Sequence, residues 1–515
     1  MGMTPAPVNA WFLAWVALVP LWILVATSSL KSKLALGFAW GLGFHGLALF
    51  WITGLHPLTW MGVSWLASLA IALSCWLFIT IWGALLVALW AGSFKFLEKT
   101  SSLRSPKHLF WTLARVLVGT AIWCGLEGIW SSGPLWWTSL SYTQSPHNLL
   151  ILHLGQLTGP SATTAAIVAV NGLLAESWLQ KQLLATPLLL RPSTRPPAAS
   201  FLSPAKIYLA IAATLLLSLH LIGFNLYSHS LAQPPEAAVR VGLIQGNIPT
   251  RIKLYEEGIR RALNAYVTGY NILADQDVDI VLTPEGALPL YWVPSNYPSN
   301  PVYQSVLNRQ VPLVLGSFGS QNEQITQNLF AIAGNGEIVG RYSKIKLVPL
   351  GEYIPFQRFL GGLINRLSPV EASMVSGEFD QKFNTPVGRA IAGICYESAF
   401  SRLFRVQAAN GGEFILTASN NDPYSSTMMF QHHAQDVMRA IETDRWAARV
   451  TNTGYSGIVD PHGRTLWLSD NNIYEIHAEN IYRRQTRTLY VQWGDWLTPL
   501  LLVSALAVGL GIKSD

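Results

Sequence analysis

The chain has 515 residues, of which 50% are hydrophobic and only 12% are charged. Its mean hydropathy of +0.31 is too high for an ordinary soluble protein and predicts membrane segments. The net charge of +6 comes from scattered Lys and Arg without an arginine-rich stripe, which argues against nucleic-acid binding. Three cysteines are too few for a disulfide framework or a zinc site.

Apolar runs long enough to cross a hydrocarbon core dominate the first part of the chain. They cover residues 11–29, 34–54, 60–94, 109–130, 148–177 and 207–228. The 60–94 run exceeds one span, so it is either one long tilted helix or includes a re-entrant piece. A seventh run, Trp496–Ile512, returns the chain to the membrane. Sixteen of the 21 tryptophans precede residue 180, as is typical of interfacial aromatic belts.

Basic residues follow only the first, third and fifth runs. They are Lys31, Lys33, Lys95, Lys99, Arg104, Lys107, Lys181, Arg191, Arg195 and Lys206. The loops at 54–59 and 131–147 have no Lys or Arg. Because Lys and Arg are retained on the cytoplasmic side, this pattern predicts that the chain after the sixth run lies outside. The proline-rich segment Pro187–Pro204 is predicted to be a cytoplasmic linker.

From about residue 238 the composition becomes that of a folded soluble domain. Predicted strands are Val239–Gln245, Val278–Thr283, Leu313–Ser317, Leu329–Ala333, Ala390–Tyr396, Phe414–Ala418, Ala447–Asn452 and Gly457–Val459. Predicted helices are Tyr255–Asp275 and Phe430–Thr443. Strands interspersed with helices favour a layered α/β domain. We therefore predict helices over 1–237, the α/β domain over 238–492 and a C-terminal transmembrane helix over 493–515.

Three side chains of this domain suit acyl transfer. Cys395 ends an apolar run, Glu285 ends another at a turn, and Lys344 precedes a second carboxylate, Glu352, by eight residues. A carboxylate can remove the thiol proton, the thiolate can attack a carbonyl, and an ammonium can stabilise the oxyanion. A lone cysteine in an apolar strand is also typical of a small buried hydrophobe. Sequence spacing leaves open whether the three side chains converge.

Short motifs occur through the domain in a fixed order. They are Gln-Gly-Asn-Ile-Pro (245–249), Pro-Glu (284–285), Tyr-Ser-Lys-Ile-Lys-Leu-Val-Pro-Leu-Gly-Glu (342–352), Ile-Cys-Tyr-Glu (394–397), Ser-Asn-Asn-Asp (419–422), Gln-His (431–432), Arg-Ala-Ile-Glu (439–442) and Thr-Asn-Thr-Gly (451–454). The ordered set resembles the apolipoprotein N-acyltransferases, the membrane branch of the nitrilase superfamily. Gly-Pro-Leu-Trp (133–136) resembles the aromatic loop that precedes a span in that family.

The resemblance implies a polytopic α-helical membrane protein with an inserted nitrilase-like α-β-β-α sandwich. It implies Glu285 as general base, Lys344 as oxyanion stabiliser and Cys395 as nucleophile, with no cofactor or metal. Lys346 is a rival for the lysine role, but Lys344 keeps the family's distance to Glu352. Supporting or substrate-binding roles are expected for Glu352, Tyr396, Glu397, Asn328 and Asn420.

The implied reaction has two half-reactions at a bacterial inner membrane, with the catalytic domain on the periplasmic side. Cys395 takes an acyl chain from a phospholipid as a thioester, and the N-terminal amine of a diacylglyceryl-cysteine apolipoprotein then receives it. The alternative is a membrane-anchored nitrilase-type amidohydrolase that uses water as acceptor. A non-catalytic binding protein would not need all three residues.

The sequence departs from the family pattern in three places. Lys253-Leu254-Tyr255 replaces the usual Lys-Trp, so any stacking role would pass to Tyr255. The segment Asn421–Tyr424 replaces a Trp-Phe-Gly element and is expected to reshape the substrate pocket. Seven spans are counted here, whereas the family commonly has eight.

Three other features were weighed. His432-His433 with Cys395 is compatible with a Cys-His protease pair, but histidines that open a helix are more often packed or capping. Glu127, near a span end, either lines a substrate path or lies at the outer interface. Phe356–Leu367 has apolar residues at helical spacing, typical of a helix that either dips into the outer leaflet or packs on the core.

Overall fold

The computed structural model describes residues 1–95, 108–185, 203–293, 297–353 and 374–514. The region before residue 238 contains helices α1 (Val19–Thr27), α2 (Leu30–Ala48), α3 (Trp65–Ser93), α4 (His108–Ser132), α5 (Leu149–Leu152), α6 (Gly155–Thr158), α7 (Pro160–Ala185) and α8 (Pro204–Tyr227). Outside the described residues lie the predicted linker up to residue 202, the stretch Phe356–Leu367, and Lys99, Arg104, Lys107, Arg191 and Arg195 of the basic loops.

Four helices, α3, α4, α7 and α8, are long and apolar enough to cross a membrane. Most of the 60–94 run forms the 29-residue helix α3, which follows a short 3₁₀ helix at Thr59–Met61, and this favours the alternative of one long helix. Shorter apolar helical stretches cover Trp11–Thr27, Leu149–Thr158 and Leu497–Leu510. The count of seven spans therefore stays a prediction.

The predicted 148–177 run is broken. Helices α5 and α6 are followed by Gly159, whose φ of +76° no side chain would favour, and α7 then begins at Pro160. Proline suits a first helical position because it has no amide hydrogen to satisfy there. The long helix α7 therefore begins at Pro160 rather than at residue 148, and it continues beyond residue 177.

The α/β domain contains all the predicted strands and five others. They are β1 (Ala238–Gln245), β2 (Ile280–Leu282), β3 (Leu288–Tyr291), β4 (Leu313–Gln321), β5 (Gln324–Ile332), β6 (Ile338–Ser343), β7 (Phe383–Thr385), β8 (Gly388–Ile394), β9 (Phe414–Ser419), β10 (Ala447–Thr451), β11 (Gly457–Val459), β12 (Thr465–Leu468) and β13 (Glu475–Tyr482). The remaining helices are α9 (Thr250–Lys253), α10 (Glu256–Ala274), α11 (Pro301–Arg309), α12 (Ser401–Ala409), α13 (Ser426–Thr443), α14 (Leu489–Trp493) and α15 (Leu497–Ser514).

The predicted α-β-β-α sandwich is confirmed. One sheet has the order β13-β1-β2-β4-β5-β6, with β3 on β4, and the other has the order β12-β11-β10-β9-β8-β7. Their inner faces share one apolar core that includes Val241, Leu282, Ile394 and Leu416. Helices α10 and α11 cover the first sheet, whereas α12 and α13 cover the second.

The domain leaves and rejoins the membrane region at neighbouring strands. Strand β1 follows α8, and β13 precedes α14 and α15. The two strands pair antiparallel from Ala238 opposite Tyr482 to Gln245 opposite Glu475. Because this pairing joins the first and last strands, the domain is an insertion whose two ends lie side by side.

Helix α13 fastens the domain to the membrane helices. Gln431 accepts a hydrogen bond from Trp137 Nε1 (2.8 Å) and donates to the carbonyls of Ala6 (2.9 Å) and Ala48 (3.0 Å). All three contacts are buried. The second sheet's outer layer therefore rests directly on the membrane region, and strand β8, which leads to Cys395, lies in that same sheet.

Candidate active site

Cys395 lies at the sharp turn where β8 ends. The predicted strand to Tyr396 stops at Ile394, because Cys395 adopts φ +52° and opens a short 3₁₀ turn. Positive φ is uncommon for a residue with a side chain and is often found at functional turns. The Cys395 carbonyl accepts a hydrogen bond from His432 Nε2 at 2.7 Å, which holds the strained backbone in place.

Lys344 lies between two carboxylates. Its Nζ donates to Glu285 Oε1 at 2.7 Å and to Glu352 Oε1 at 2.6 Å, with only 1% of the side chain exposed. Burial lowers the pKa of Lys344, but the two carboxylates outweigh it and raise the pKa well above its ordinary value. The lysine is therefore a fixed cation. We call Glu285, Lys344, Glu352 and Cys395 the reactive cluster.

The Cys395 thiol keeps its proton at rest. Burial, followed by the charge of Glu285, raises its pKa to about 12, although Lys344 and the backbone amide of Asn420 act in the opposite direction. The same Asn420 amide donates to Glu285 Oε2 at 3.0 Å. Asn420 thus serves the cluster through its backbone, while its side chain contacts Thr250 and Asn452.

Glu397 ties the Lys344 segment to the nucleophile turn. Its Oε1 accepts from the amides of Ile345 (2.6 Å) and Lys346 (3.1 Å). Its Oε2 accepts from the Ile394 amide (2.7 Å) and the Tyr342 hydroxyl (3.0 Å). Because it is fully buried and used by four donors, Glu397 supports the site rather than reacting.

Tyr396 connects the nucleophile turn to the membrane region. Its hydroxyl accepts from the Trp136 amide at 2.8 Å and donates to the Pro134 carbonyl at 2.7 Å. Its ring lies nearly parallel to that of Trp137, with centroids 6.2 Å apart. The loop at 133–136, at the end of α4, therefore contacts the residue that directly follows Cys395.

Comparison with known proteins agrees with this arrangement. Residues 1–173 match the apolipoprotein N-acyltransferase N-terminal domain, and residues 240–477 match the carbon-nitrogen hydrolase family. The apolipoprotein N-acyltransferase of Nostoc sp. is 54% identical over 98% of this chain and 95% of its own length. That of Synechocystis sp. is 46% identical over 98% of both chains. The chain belongs to the apolipoprotein N-acyltransferase family.

Among solved structures, that of Saccharomyces cerevisiae Nit3, a member of branch 10 of the nitrilase superfamily, is similar to part of the chain. It covers 49% of this chain and 93% of its own at 15% identity, with a TM-score of 0.38. The likeness is too weak to bear on the site. Among the described residues, no group of three or more His, Cys, Asp or Glu side chains is arranged to hold a metal ion.

Asn328 lies beside the reactive cluster of this family member without contacting it. Its Oδ1 accepts from Ser343 Oγ at 2.7 Å and from Arg341 Nε at 3.1 Å, and its amide donates to Thr326. It therefore fixes Ser343, the residue before Lys344, across the β5–β6 pair. The predicted contact with substrate stays a prediction.

The Cys-His protease alternative does not fit the geometry. His432 contacts the carbonyl of Cys395 rather than its sulfur, and its Nδ1 accepts from Arg449 Nη2 at 2.8 Å. Burial and the Arg449 charge lower the pKa of His432 to about 3, so it is a neutral donor. Arg449 is itself ion-paired with Asp436. His432 therefore positions the Cys395 carbonyl. Sequence spacing could identify neither the contacts among His432, Arg449 and Asp436 nor the carbonyl that His432 binds.

Sequence reasoning also missed a second buried lysine. Lys253, 6% exposed, donates from Nζ to the Glu285 carbonyl at 3.0 Å. Burial lowers its pKa to about 8, against the opposing charges of Glu285 and Asp422. The sequence did indicate this lysine, because the Lys-Leu-Tyr segment keeps the lysine of the family's Lys-Trp pattern. Tyr255 is 66% exposed and does not take over a buried stacking role.

Glu127 is held by donors from its own helix and its neighbours. Ser139 Oγ (2.9 Å), the Leu140 amide (2.9 Å) and Thr164 Oγ1 (2.8 Å) all donate to its carboxylate. The carboxylate thereby joins the end of α4 to α7. This satisfies the requirement that an acidic group near the membrane be paired.

Proposed function

We propose that this chain N-acylates apolipoproteins through a thioester on Cys395. The observation that supports this most is the buried ammonium of Lys344, which two carboxylates hold near the only thiol of the α/β domain. A fixed cation next to a protonated thiol and a carboxylate provides a nucleophile, a base and an oxyanion donor in one place.

In the first half-reaction, Glu285 accepts the Cys395 proton as the sulfur attacks the ester carbonyl of a phospholipid. Lys344 stabilises the negative charge that develops on the carbonyl oxygen. The tetrahedral intermediate collapses with cleavage of the ester C–O bond, and the proton returns from Glu285 to the departing lysophospholipid oxygen. Glu352 keeps Lys344 in position when Glu285 becomes neutral.

In the second half-reaction, the α-amine of a diacylglyceryl-cysteine N-terminus attacks the thioester. Glu285 takes the amine proton, the C–S bond breaks, and Cys395 is protonated again. A thioester reacts with an amine more readily than an oxygen ester does, which favours this order of steps. Glu397, Tyr396 and the Asn420 amide hold the reacting groups throughout.

We place the reaction at the outer surface of a bacterial inner membrane. Four helices suited to crossing a membrane support the membrane location. The basic residues after the first, third and fifth apolar runs support a periplasmic α/β domain. Both lipid-bearing substrates would reach Cys395 past the loop at 133–136, which contacts Tyr396.

Mass spectrometry of the purified protein tests the proposal. After incubation with phospholipid, Cys395 should gain the mass of one acyl chain and lose it when a diacylglyceryl-cysteine peptide is added. Cys395→Ser should form no thioester, whereas Cys75→Ser, the matched change at a half-buried thiol in α3, should behave like the wild type. An unmodified, folded protein would contradict the proposal. Release of free fatty acid without peptide would instead indicate a hydrolase.

A further inference from the structure

A cavity of about 440 Å³ lies where the membrane helices meet the α/β domain. Its wall includes the end of α4, the start of α7, the segment before α15, and α12. These helix ends face the catalytic domain, so the cavity lies at the level where lipid headgroups are expected. Trp493, 67% exposed, stands on its wall as interfacial tryptophans do. We call it the interface cavity.

Three cations line the interface cavity: Lys346, Arg402 and Arg405. Lys346 Nζ donates to the Ser132 carbonyl at 3.3 Å, and Arg405 Nη1 donates to the Val491 carbonyl at 3.2 Å. The Arg402 guanidinium lies 5.2 Å from the Phe379 ring centroid. In the described part of the chain, none of the three forms an ion pair with a carboxylate.

The carboxylates on the same wall have other partners. Asp495 accepts hydrogen bonds from Ser161 Oγ and Thr498 Oγ1, both at 2.7 Å, and Glu127 is held by the donors described above. Those donors are neutral, so the described wall carries three cations and two carboxyl groups, and neither carboxyl group forms an ion pair with any of the three cations. Burial lowers the pKa of Lys346, Glu397 raises it, and the nearby Arg402 lowers it again. An anion between the two cations would relieve that repulsion.

The wall of the interface cavity contacts the residue that directly follows Cys395. Trp136 and Phe400 both belong to its wall, and both contact Tyr396, which follows Cys395. In a glycerophospholipid the phosphate and the acyl esters are attached to the same three-carbon glycerol. A lipid whose ester reaches Cys395 can thus place its phosphate on the other side of Tyr396.

We propose that the interface cavity binds the phosphate of the glycerophospholipid that donates its acyl chain to Cys395. This inference rests on the proposed function. Arg402 and Arg405 supply the planar guanidinium groups that suit phosphate oxygens, and Lys346 adds a point charge. The cavity thereby sets the direction in which the donor lies, with its headgroup toward α12 and its ester toward β8.

The test compares two acyl donors on the full-length protein in vesicles. One donor is a phosphatidylethanolamine, and the other is the p-nitrophenyl ester of the same fatty acid, which has no phosphate. Cys395 thioester formation is followed by mass spectrometry at increasing donor content. We expect Arg402→Gln to raise the phosphatidylethanolamine content needed for the half-maximal rate by roughly tenfold, with the nitrophenyl ester unaffected.

Matched variants separate this role from a structural one. Arg402→Lys should recover most of the lost rate. Arg260→Gln, an equal charge change at an exposed position of α10, should leave the rates with both donors unchanged. An equal loss with both donors, or no loss with either, would overturn the cavity assignment alone. A wild-type protein that forms no thioester with either donor would instead overturn the proposed function.

Inorganic phosphate distinguishes a lipid headgroup from the free ion. At millimolar concentration it should leave wild-type thioester formation from vesicles unchanged, because the lipid is already held at high local concentration. Inhibition at higher phosphate concentration that disappears in Arg402→Gln would support a shared phosphate site. Tight binding of inorganic phosphate to the protein without lipid, combined with unchanged use of phosphatidylethanolamine by Arg402→Gln, would assign the cavity to the free ion and overturn the lipid proposal. The same assay thus covers both sources of a phosphate group.

Discussion

The reactive cluster contains Lys344, and the interface cavity contains Lys346. These lysines are only two residues apart, but their surroundings differ. Lys344 is fully buried and held by Glu285 and Glu352. Among the described residues, the ammonium of the half-buried Lys346 contacts the Ser132 carbonyl and the Phe400 ring and forms no ion pair. A cation with built-in counter-ions is fixed before any substrate arrives. A cation without them is available to a ligand. The comparison assigns chemistry to the first region and recognition to the second.

The largest expected effect separates the two lysines. Lys344→Met should lower the rate of Cys395 thioester formation by roughly 10³-fold, because it removes the oxyanion donor and leaves two buried carboxylates unpaired. Lys346→Met should lower that rate by about tenfold or less. Single-turnover acylation with phospholipid measures both. If the two variants are equally impaired, the division between the regions is wrong.

Glu285→Gln should have opposite effects on transfer and on thiol reactivity. Loss of the base should slow acyl transfer by roughly 10²-fold. Because the charge of Glu285 raises the pKa of Cys395, its removal should lower that pKa and increase the thiolate fraction at pH 8. Alkylation by iodoacetamide should then be faster in the variant. In the wild type, alkylation should rise about tenfold per pH unit from pH 7 to 10 without a plateau.

The plateau is the informative part of that measurement. With a pKa of about 12 for Cys395, the wild-type rate cannot level off near pH 9. A plateau there, or slower alkylation of Glu285→Gln, would show that Glu285 does not act on the thiol. Glu337→Gln, an exposed carboxylate in the same domain, serves as the control.

Glu397→Gln should act mainly on stability. An amide cannot accept from all four donors, so at least one buried backbone N–H loses its partner, at a cost of about 2–4 kcal/mol. The apparent midpoint of thermal unfolding in detergent should fall by about 5 °C or more. Glu337→Gln should leave the midpoint unchanged. A Glu397→Gln protein with full stability but no thioester formation would move Glu397 into the reactive cluster.

The smallest effect is expected for His432→Leu. Loss of the hydrogen bond to the Cys395 carbonyl should reduce the acylation rate by roughly tenfold and leave the donor content at half-maximal rate unchanged. Since the pKa of His432 is about 3, the pH profile between 6 and 9 should keep its shape. His432→Gln, which keeps a donor, should recover part of the rate. Complete inactivity with a changed profile would indicate a general base instead.

The strands that could be predicted are those buried on both faces. Val239–Gln245 and Phe414–Ala418 are mostly apolar, and both form strands at those positions. The unpredicted strands β12 and β13 are partly exposed edge strands; β12 is only four residues long, and β13 is rich in polar residues. Their position depends on pairing with other strands. Strand β12 pairs with the three-residue strand β11, and β13 pairs with β1 at the other end of the domain. The dipeptide Gly159-Pro160 indicates a turn, but the apolar residues on both sides of it favoured the prediction of one continuous run.

The candidate site was predictable in its residue types but not in its contacts. Ordered motifs pointed to Cys395, Glu285 and Lys344, and the structure brings all three together. Asn420 contributes through its amide, which no side-chain pattern can indicate. The turn with the positive φ of Cys395 is held by His432 from a distant helix, and its own Glu397 binds the amides of Ile345 and Lys346 from another segment. Such tertiary hydrogen bonds leave no local periodicity.

The pairing of the first and last strands of the α/β domain has a consequence for biosynthesis. Until β13 is made, one side of β1 has no partner, and its backbone amides and carbonyls remain available to other chains. Its partner strand leaves the ribosome only shortly before α15. The first sheet can therefore be completed only after nearly all of the domain has been synthesised, shortly before the last helix leaves the ribosome. A chain that stalls before residue 475 would remain an open-edged, aggregation-prone precursor.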